Sequence, residues 1–492
     1  MTQQVLNNLN SFLPEISVFT AMVVCIIADL FLKRKSLIVS LLAIIGLLVS
    51  LFFIINQFTE NKDIFSRMIV VDPYSNFFKI IFAVSTIFII IFFEISKEIK
   101  KSFHKNEHLF LILAMTGGAY MMASSINMLM IYLSLELASI SSYILAGYKK
   151  RNKKSTEAAM KYVIYGAASS GIMLYAMSLL YGLTGSFDIF KINDFLLKNP
   201  ANEPLLIISV IMLLAGIGYK ISSVPFQFWT PDVYEGAPVP VSGFLAVTSA
   251  VAGMSVLVRF FLSTFVAIKP EGWQVLGNIR WNELLIILAI ASMLMGNMVA
   301  LWQTSLKRLL AYSSIAHTGY MMLGLLVVNK MGMTAILIYI SAYLFMNLGA
   351  FLVLILIANK LNTDDISKMG GLAFRAPIIG IAMSVFMFSL SGIPSTVGFI
   401  GKFYIFSTLV KANMVWLAVI AMLNSVISLF FYVKVLKVMY FTKPNPSDTR
   451  IPYSFGNYLI LLLLIIPTIF FGLYPAPILR LAELSATIFG IK

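Results

Sequence analysis

The chain has 492 residues, of which 60% are hydrophobic and only 12% charged, with a mean hydropathy of +0.92. Soluble domains carry roughly 45–50% apolar and about 25% charged residues, so a water-soluble enzyme of this size is excluded, as is a disordered chain. The 36 Lys and Arg against 21 Asp and Glu leave a net charge of +15, which in so apolar a chain points to basic loops on the inner face of a membrane and not to nucleic acid. The single cysteine, Cys25, excludes an intrachain disulfide, a multi-cysteine zinc site and an iron–sulfur cluster held by this chain alone. His104, His108 and His317 are too scattered in sequence to suggest a metal motif.

A hydrocarbon core of about 30 Å needs about 20 apolar residues at 1.5 Å each. Fourteen such segments are predicted, near 13–32, 36–56, 77–95, 108–124, 125–147, 157–182, 204–227, 238–267, 281–303, 305–328, 332–359, 376–410, 413–433 and 454–475. The division between the fourth and fifth is the weakest, resting on Ser124 to Asn127. The N-terminus carries no positive charge, and Lys33, Arg34 and Lys35 follow the first segment, the reverse of a cleavable signal peptide. With both termini outside, Lys and Arg are about twice as frequent in the inner loops as in the outer ones, as the positive-inside rule requires. The longest outer loop, around Gly185 to Glu203, is predicted to hold a short amphipathic helix lying at the interface. The connections leave no room for a soluble domain. The fold class is an all-α polytopic membrane protein with about fourteen transmembrane helices.

An ionisable group at mid-membrane costs a few kcal/mol even on lenient insertion scales, so it needs a partner, water or a function. Glu136 lies about 16 Å along the fifth segment, and Lys220 sits at similar depth in the seventh. His317 lies in the tenth and Lys402 in the long twelfth. These four are the candidate proton-relay residues. Structural alternatives exist for each: an ion pair for Glu136 and Lys220, a packing hydrogen bond for His317, and a purely structural role for Lys402, which has no obvious carboxylate mate in the sequence. Glu157 and Lys161 have the i,i+4 spacing of an intrahelical pair at the inner start of the sixth segment. Arg259 and Lys79 are expected to snorkel to the outer surface, and Glu15, Asp29 and Glu94 to be interfacial. A buried lysine is costly to keep charged, and a nearby carboxylate offsets that cost. Changing the separation of such a pair therefore loads or releases a proton. The hydroxyls of LASISS and SSIAHT, with water, can bridge the gaps. No nucleophile–base pair or phosphate loop appears.

Two segments are also irregular. Pro225, Pro231, Pro238 and Pro240 follow Lys220, and Gly392, Pro394, Gly398 and Gly401 precede Lys402. The run from Ala376 to Val410 would be about 50 Å long if straight, so a break around Ser391 to Gly398 is predicted. Unwound backbone at membrane depth is tolerated where it is buried in protein or lines a wet cavity. Interrupted helices in both halves, each with a lysine, point to an internal repeat of transporter type.

Five stretches then carry a family resemblance: LSLELASISSYILAGY around Glu136, EAAMKYVIYGAASSGIMLYAMSLLYGLTGS from Glu157, VPFQFWTPDVYEGAPVPVSGFL from Val224, SLKRLLAYSSIAHTGYMMLG from Ser305 and FSLSGIPSTVGFIGKFYIF from Phe388. They resemble the N subunits of bacterial NADH–quinone oxidoreductase, respiratory complex I, over roughly residues 10–475. The resemblance implies fourteen helices, with N-terminal helices over 1–107, inverted five-helix repeats over 108–267 and 281–433, and a C-terminal helix and tail over 434–492. It implies broken seventh and twelfth helices. Residue by residue, Glu136 and Lys220 match the family's glutamate–lysine pair, Lys402 its twelfth-helix lysine and His317 its tenth-helix histidine. It further implies that flavin mononucleotide, iron–sulfur clusters and quinone belong to partner subunits, with no cofactor in this chain. The implied partners are other membrane-arm subunits, including a second antiporter-like subunit and small channel-linking subunits, in a bacterial cytoplasmic membrane.

One position departs from the family. A lysine is usual in the eighth helix, and Ala250 occupies its place here. Thr248, Ser249 and Ser255 are the nearest polar side chains, so hydroxyls and ordered water are expected to carry the central link, with Thr248 and Ser249 as supporting residues. The implied function is proton translocation driven by redox chemistry elsewhere. The competing readings are a sodium/proton antiporter subunit, a subunit of a ferredoxin- or hydrogenase-linked complex, and a structural spacer whose channel has lapsed.

Overall fold

The structure, a computed structural model, describes residues 8–32, 36–100, 106–149, 152–199, 202–269, 272–276, 281–443 and 449–488. Lys33, Arg34 and Lys35, on which the orientation partly rests, lie outside the described residues. Among the described residues, twelve helices are long and apolar enough to cross a membrane. Two predicted segments are not among them. The fourth is helical over Glu107–Ser124 but carries Glu107, His108 and Thr116. The twelfth is broken into Pro377–Ser391 and Val397–Lys411, each too short to span alone. The weak division between the fourth and fifth segments lies where expected. One helix ends at Ser124 and Asn127 caps Met128–Ala146, its side chain accepting from the Leu129 amide at 3.0 Å.

The sixth and thirteenth segments are longer than predicted, at Lys153–Thr184 and Val415–Phe441. The boundary expected at 433/434 therefore falls inside a helix. Lys434 and Lys437 read as loop charges, yet Lys434 donates to the carbonyls of Leu301 and Gln303 at 3.1 and 3.2 Å, and Lys437 projects from an exposed face. Neither interrupts the helix. The amphipathic helix of the long outer loop is present over Ile189–Lys198, capped by Asp188. Two short hairpins have no counterpart in the sequence expectations: Lys62–Ile64 with Ile69–Val71, and Val266–Lys269 with Gly272–Val275. Strands of three or four residues leave too little alternation to read.

Enclosure varies sharply around the bundle. An 18-residue apolar stretch within each of Val239–Phe265, Leu306–Leu326 and Lys330–Leu361 (the eighth, tenth and eleventh segments) is 94% buried, against 22% within Phe455–Leu473 and 28% within Leu13–Phe31. The three form the centre, and the others present apolar faces outward. The eighth segment is not a regular α-helix. A π-helical turn occupies Leu245–Ser249, directly before Ala250, a departure frequent at functional positions.

Two expected snorkelling residues prove to be buried in ion pairs. Arg259 grips Asp72 with two hydrogen bonds, Nη1 to Oδ2 at 2.9 Å and Nη2 to Oδ1 at 2.8 Å. Its Nε donates to the Ala123 carbonyl at 2.9 Å, and its guanidinium lies over the Tyr74 ring. Lys79 meets Glu15 at 2.7 Å, both almost fully buried within the bundle. Each cation faces the bundle, where a carboxylate from another part of the chain is closer than the surface. Hydropathy cannot distinguish that case from snorkelling.

Candidate functional site

In the first half, Glu203–Lys220 ends at mid-depth on Lys220 itself, and the chain unwinds before Trp229–Gly236. Ser222 adopts a left-handed φ of 61°, uncommon for a residue with a side chain. The unwound backbone is held by neighbours. Trp229 Nε1 donates to the Tyr219 carbonyl at 3.0 Å, and Thr318 Oγ1 to the Ile221 carbonyl at 2.9 Å. Lys220 is buried and donates to Ser139 Oγ at 2.9 Å. It makes no ion pair with Glu136, whose Oε1 is buried without a hydrogen-bond partner one turn before Ser139. Glycine is needed at 253: a Cβ there would lie 2.6 Å from Ile221 Cγ2 and 3.2 Å from Lys220 Cγ.

In the second half, Lys402 lies below the break of the twelfth segment. Its Nζ donates to the Ser391 carbonyl and to Ser425 Oγ, both at 2.9 Å, and stands 4.9 Å above the centroid of Tyr320. No carboxylate pairs with it among the described residues. When protonated, its ammonium is instead met by the C-terminal end of Pro377–Ser391, the negative pole of that half-helix, and by the aromatic face. Gly392 turns the chain with φ +87° and also clears the lysine, since a Cβ would approach Lys402 Cδ to 2.8 Å. Gly392→Val is therefore expected to displace Lys402 and impair proton pumping severely. A conservative change on the lipid face, such as Ile381→Val, should leave pumping unchanged in the same vesicle assay.

His317 is buried between the two halves. Nδ1 shares a hydrogen bond with Tyr339 OH at 2.7 Å and Nε2 one with Tyr432 OH at 3.2 Å, and Tyr432 OH also meets Ser313 Oγ at 2.5 Å. Thr318, the next residue, reaches the backbone beside Lys220, and Tyr320, one turn on, lies under Lys402. The tenth segment thus touches both lysine sites. The hydroxyls expected to serve the gap at Ala250 behave differently. Thr248 Oγ1 pairs with Ser85 Oγ of the third segment at 2.8 Å, and Ser249 Oγ is buried with no hydrogen-bond partner. Tyr320, Tyr339, Tyr432 and Ser425 escape sequence reasoning, because isolated tyrosines and serines in apolar helices carry no pattern.

A third group joins the short helix Trp229–Gly236, which carries Asp232 and Glu235, to the ends of two spanning helices. Lys161 meets Glu157 at 2.7 Å, as the i,i+4 spacing predicts, but also Asp232 at 2.6 Å. Arg308 meets Asp232 at 2.7 Å and Glu235 at 2.8 Å, and Lys154 reaches Glu235 at 2.5 Å. The half-helix is thereby tied to the sixth and tenth segments at once. The only sequence signal for it is the TPDVYEGAP stretch. Burial alone would raise the Asp232 carboxyl, but hydrogen bonds from Lys161 and Arg308 outweigh it and hold the group below the ordinary carboxylate range. Glu235 is held down in the same way by Lys154 and Arg308. A carboxyl lowered on folding stabilises above its unfolded value, near pH 4, and loses that contribution as the pH falls through the folded value. Asp232→Asn is thus expected to cost on the order of 1 kcal/mol at neutral pH. Thermal unfolding should show that gap closing below about pH 4.

Two broken helices with lysines at their breaks, and a buried histidine on the segment that touches both, define a class: an antiporter-like membrane subunit. Residues 125–428 match the family described as NADH:quinone oxidoreductase/Mrp antiporter, transmembrane. NADH-quinone oxidoreductase subunit N 2 of Chloroherpeton thalassium is 43% identical over 488 residues, 98% of this chain and 95% of that protein. A chain of respiratory complex I from Thermus thermophilus superposes with a TM-score of 0.79 at 27% identity, covering 96% of this chain and 99% of that one. A chain of the Mrp complex from Dietzia superposes at 0.84, covering 97% of each chain, but at 18% identity it shares the fold alone. The chain belongs to the NADH-quinone oxidoreductase subunit N family. It is a proton-translocating membrane subunit of that complex.

Proposed function

We propose that protons are relayed through this subunit along Glu136, Lys220, His317 and Lys402, with the tenth segment carrying the central link. The observation that carries this reading is the double contact of that segment, Thr318 on the Ile221 carbonyl and Tyr320 under Lys402, on either side of His317. Hydroxyls of Ser139, Ser425, Tyr339 and Tyr432, with water, serve the intervals, and Ser249 is the orphaned hydroxyl nearest the position of the missing lysine. Glu157 and Lys161 act with Asp232 at the inner end as positioning groups. On this reading Ala250→Lys, assayed as protons pumped per electron by the complex in vesicles, gives no gain. A large gain would overturn it, since the native link would then be the limiting defect.

The same reading assigns fourteen transmembrane helices, with repeats over 108–267 and 281–441, the second extended to the end of its last helix. Both termini lie on the outer side of a bacterial cytoplasmic membrane. Flavin mononucleotide, iron–sulfur clusters and quinone belong to partner subunits. Among those partners are a second antiporter-like subunit and small channel-linking subunits. Support for a protein neighbour beside the fifth segment comes from Glu136. It is only half-buried, on a face whose Leu133, Ile140 and Ile144 are exposed. Mid-membrane carboxylates are rarely left facing lipid.

A further inference from the structure

The relay makes no use of a groove on the outside of the second half, between Pro377–Ser391 and Val415–Phe441. It has a volume of about 680 Å³, within the roughly 300–1,000 Å³ range of small-molecule pockets. Phe388, Val433, Leu436 and Phe441 make its walls apolar, and Ser384, Tyr440 and Lys437 lie toward the end where the thirteenth segment leaves the membrane. Phe441 is 83% exposed, and Phe430 and Val426 on the same helix also face outward, so the groove opens to the bilayer. Lys437 is exposed and makes no hydrogen bond or ion pair with the described residues, and Lys443 follows it just beyond the helix end.

We propose that this groove binds one anionic phospholipid of the leaflet in which the thirteenth segment ends, with an acyl chain between Phe388 and Val433 and the phosphate on Lys437. Two features favour a lipid over a protein helix. The walls are bridged by a hydrogen bond between Ser384 Oγ and Tyr440 OH at 3.2 Å, leaving a slot between two contacting helices. A helix with its side chains is about 10–12 Å across, too broad for such a slot. Lys437 also stands one turn nearer the helix end than Val433, with Phe441 one turn further on, so that its ammonium can meet a headgroup over a chain lying between Phe388 and Val433. Lysines near a membrane surface attract anionic headgroups, each contributing about fivefold in affinity.

The site bears on the relay because Phe388 belongs to the last turn before the break. Its carbonyl accepts from the Gly392 amide at 3.0 Å and from Ser391 Oγ at 2.8 Å, and the Ser391 carbonyl holds Lys402. A bound chain therefore supports the half-helix end on which Lys402 rests.

The test is photo-crosslinking in the intact complex, stripped of endogenous lipid and returned to vesicles. The probes are phosphatidylglycerol and phosphatidylcholine, each with a diazirine in one acyl chain. Adducts from phosphatidylglycerol should concentrate on peptides spanning 384–388 and 433–441. Lys437→Gln should lower that labelling about fivefold and leave phosphatidylcholine labelling unchanged. Val433→Trp should block the groove to both lipids. Labelling spread evenly over all outward helices would overturn the proposal, as would equal labelling by the two lipids. Recovery of these peptides cross-linked to a neighbouring subunit would overturn it too. The readout is binding, so a failure here is distinct from a failure of the relay, which pumping reports.

Discussion

Lys220→Met is expected to remove most proton pumping by the complex while the subunit still assembles. Methionine keeps the length of the side chain in its buried site but leaves Ser139 without its donor and the break of the seventh segment without a charge. The eighth segment carries the uncharged Ala250 and offers no lysine in its place among the described residues. An added barrier of only about 3 kcal/mol would slow transfer more than 100-fold, less than the several kcal/mol needed to place an unshared charge in a dry interior. The measurement is proton uptake by vesicles containing the variant complex, with subunit content checked by mass spectrometry. Unchanged pumping in an assembled complex would show the channel has lapsed and leave the subunit a spacer. Sodium-dependent proton exchange would instead mark an antiporter.

Asp72→Ala should be the most damaging substitution for stability. It strands the Arg259 guanidinium, 1% exposed, and removes the cap that accepts from the Ser75 amide at 2.8 Å. Removing one partner of a buried pair costs about 3–5 kcal/mol, and losing the cap adds about 1 kcal/mol. The variant is expected to be depleted from the assembled complex or to unfold at markedly lower temperature. Adding Arg259→Met should recover much of the loss, because a buried pair replaced by apolar groups is often near neutral. If the double variant were no more stable than the single one, the cap and not the stranded charge would be the main cause.

The candidate site is partly legible in the amino-acid sequence. Glu136, Lys220, His317 and Lys402 stand out because ionisable groups are rare in apolar segments, and the two breaks because proline and glycine cluster beside two of those groups. The partners do not stand out. Glu136 and Lys220 suggest a direct pair, whereas Lys220 meets Ser139 and Glu136 keeps a buried oxygen without a hydrogen-bond partner. Thr248 and Ser249 are the hydroxyls nearest to Ala250 along the chain, yet Thr248 is turned to Ser85. The bridge between the halves comes from Thr318 and Tyr320, whose meaning depends on helices packed from both sides.

Hydropathy, loop charge and the placement of proline and glycine are enough to establish a polytopic all-α chain, most span limits and the mid-depth charges. Each of these is a local property: a bilayer demands about 20 apolar residues per crossing and satisfaction of every backbone group within it. Folding alone decides where each charge finds its counterpart. Asp72 and Arg259 lie 187 residues apart, and Thr318 lies 97 from the carbonyl it holds. Such pairings arise because water is absent between the helices, so a buried polar group takes the partner the packing brings within about 3 Å, wherever that partner falls along the chain.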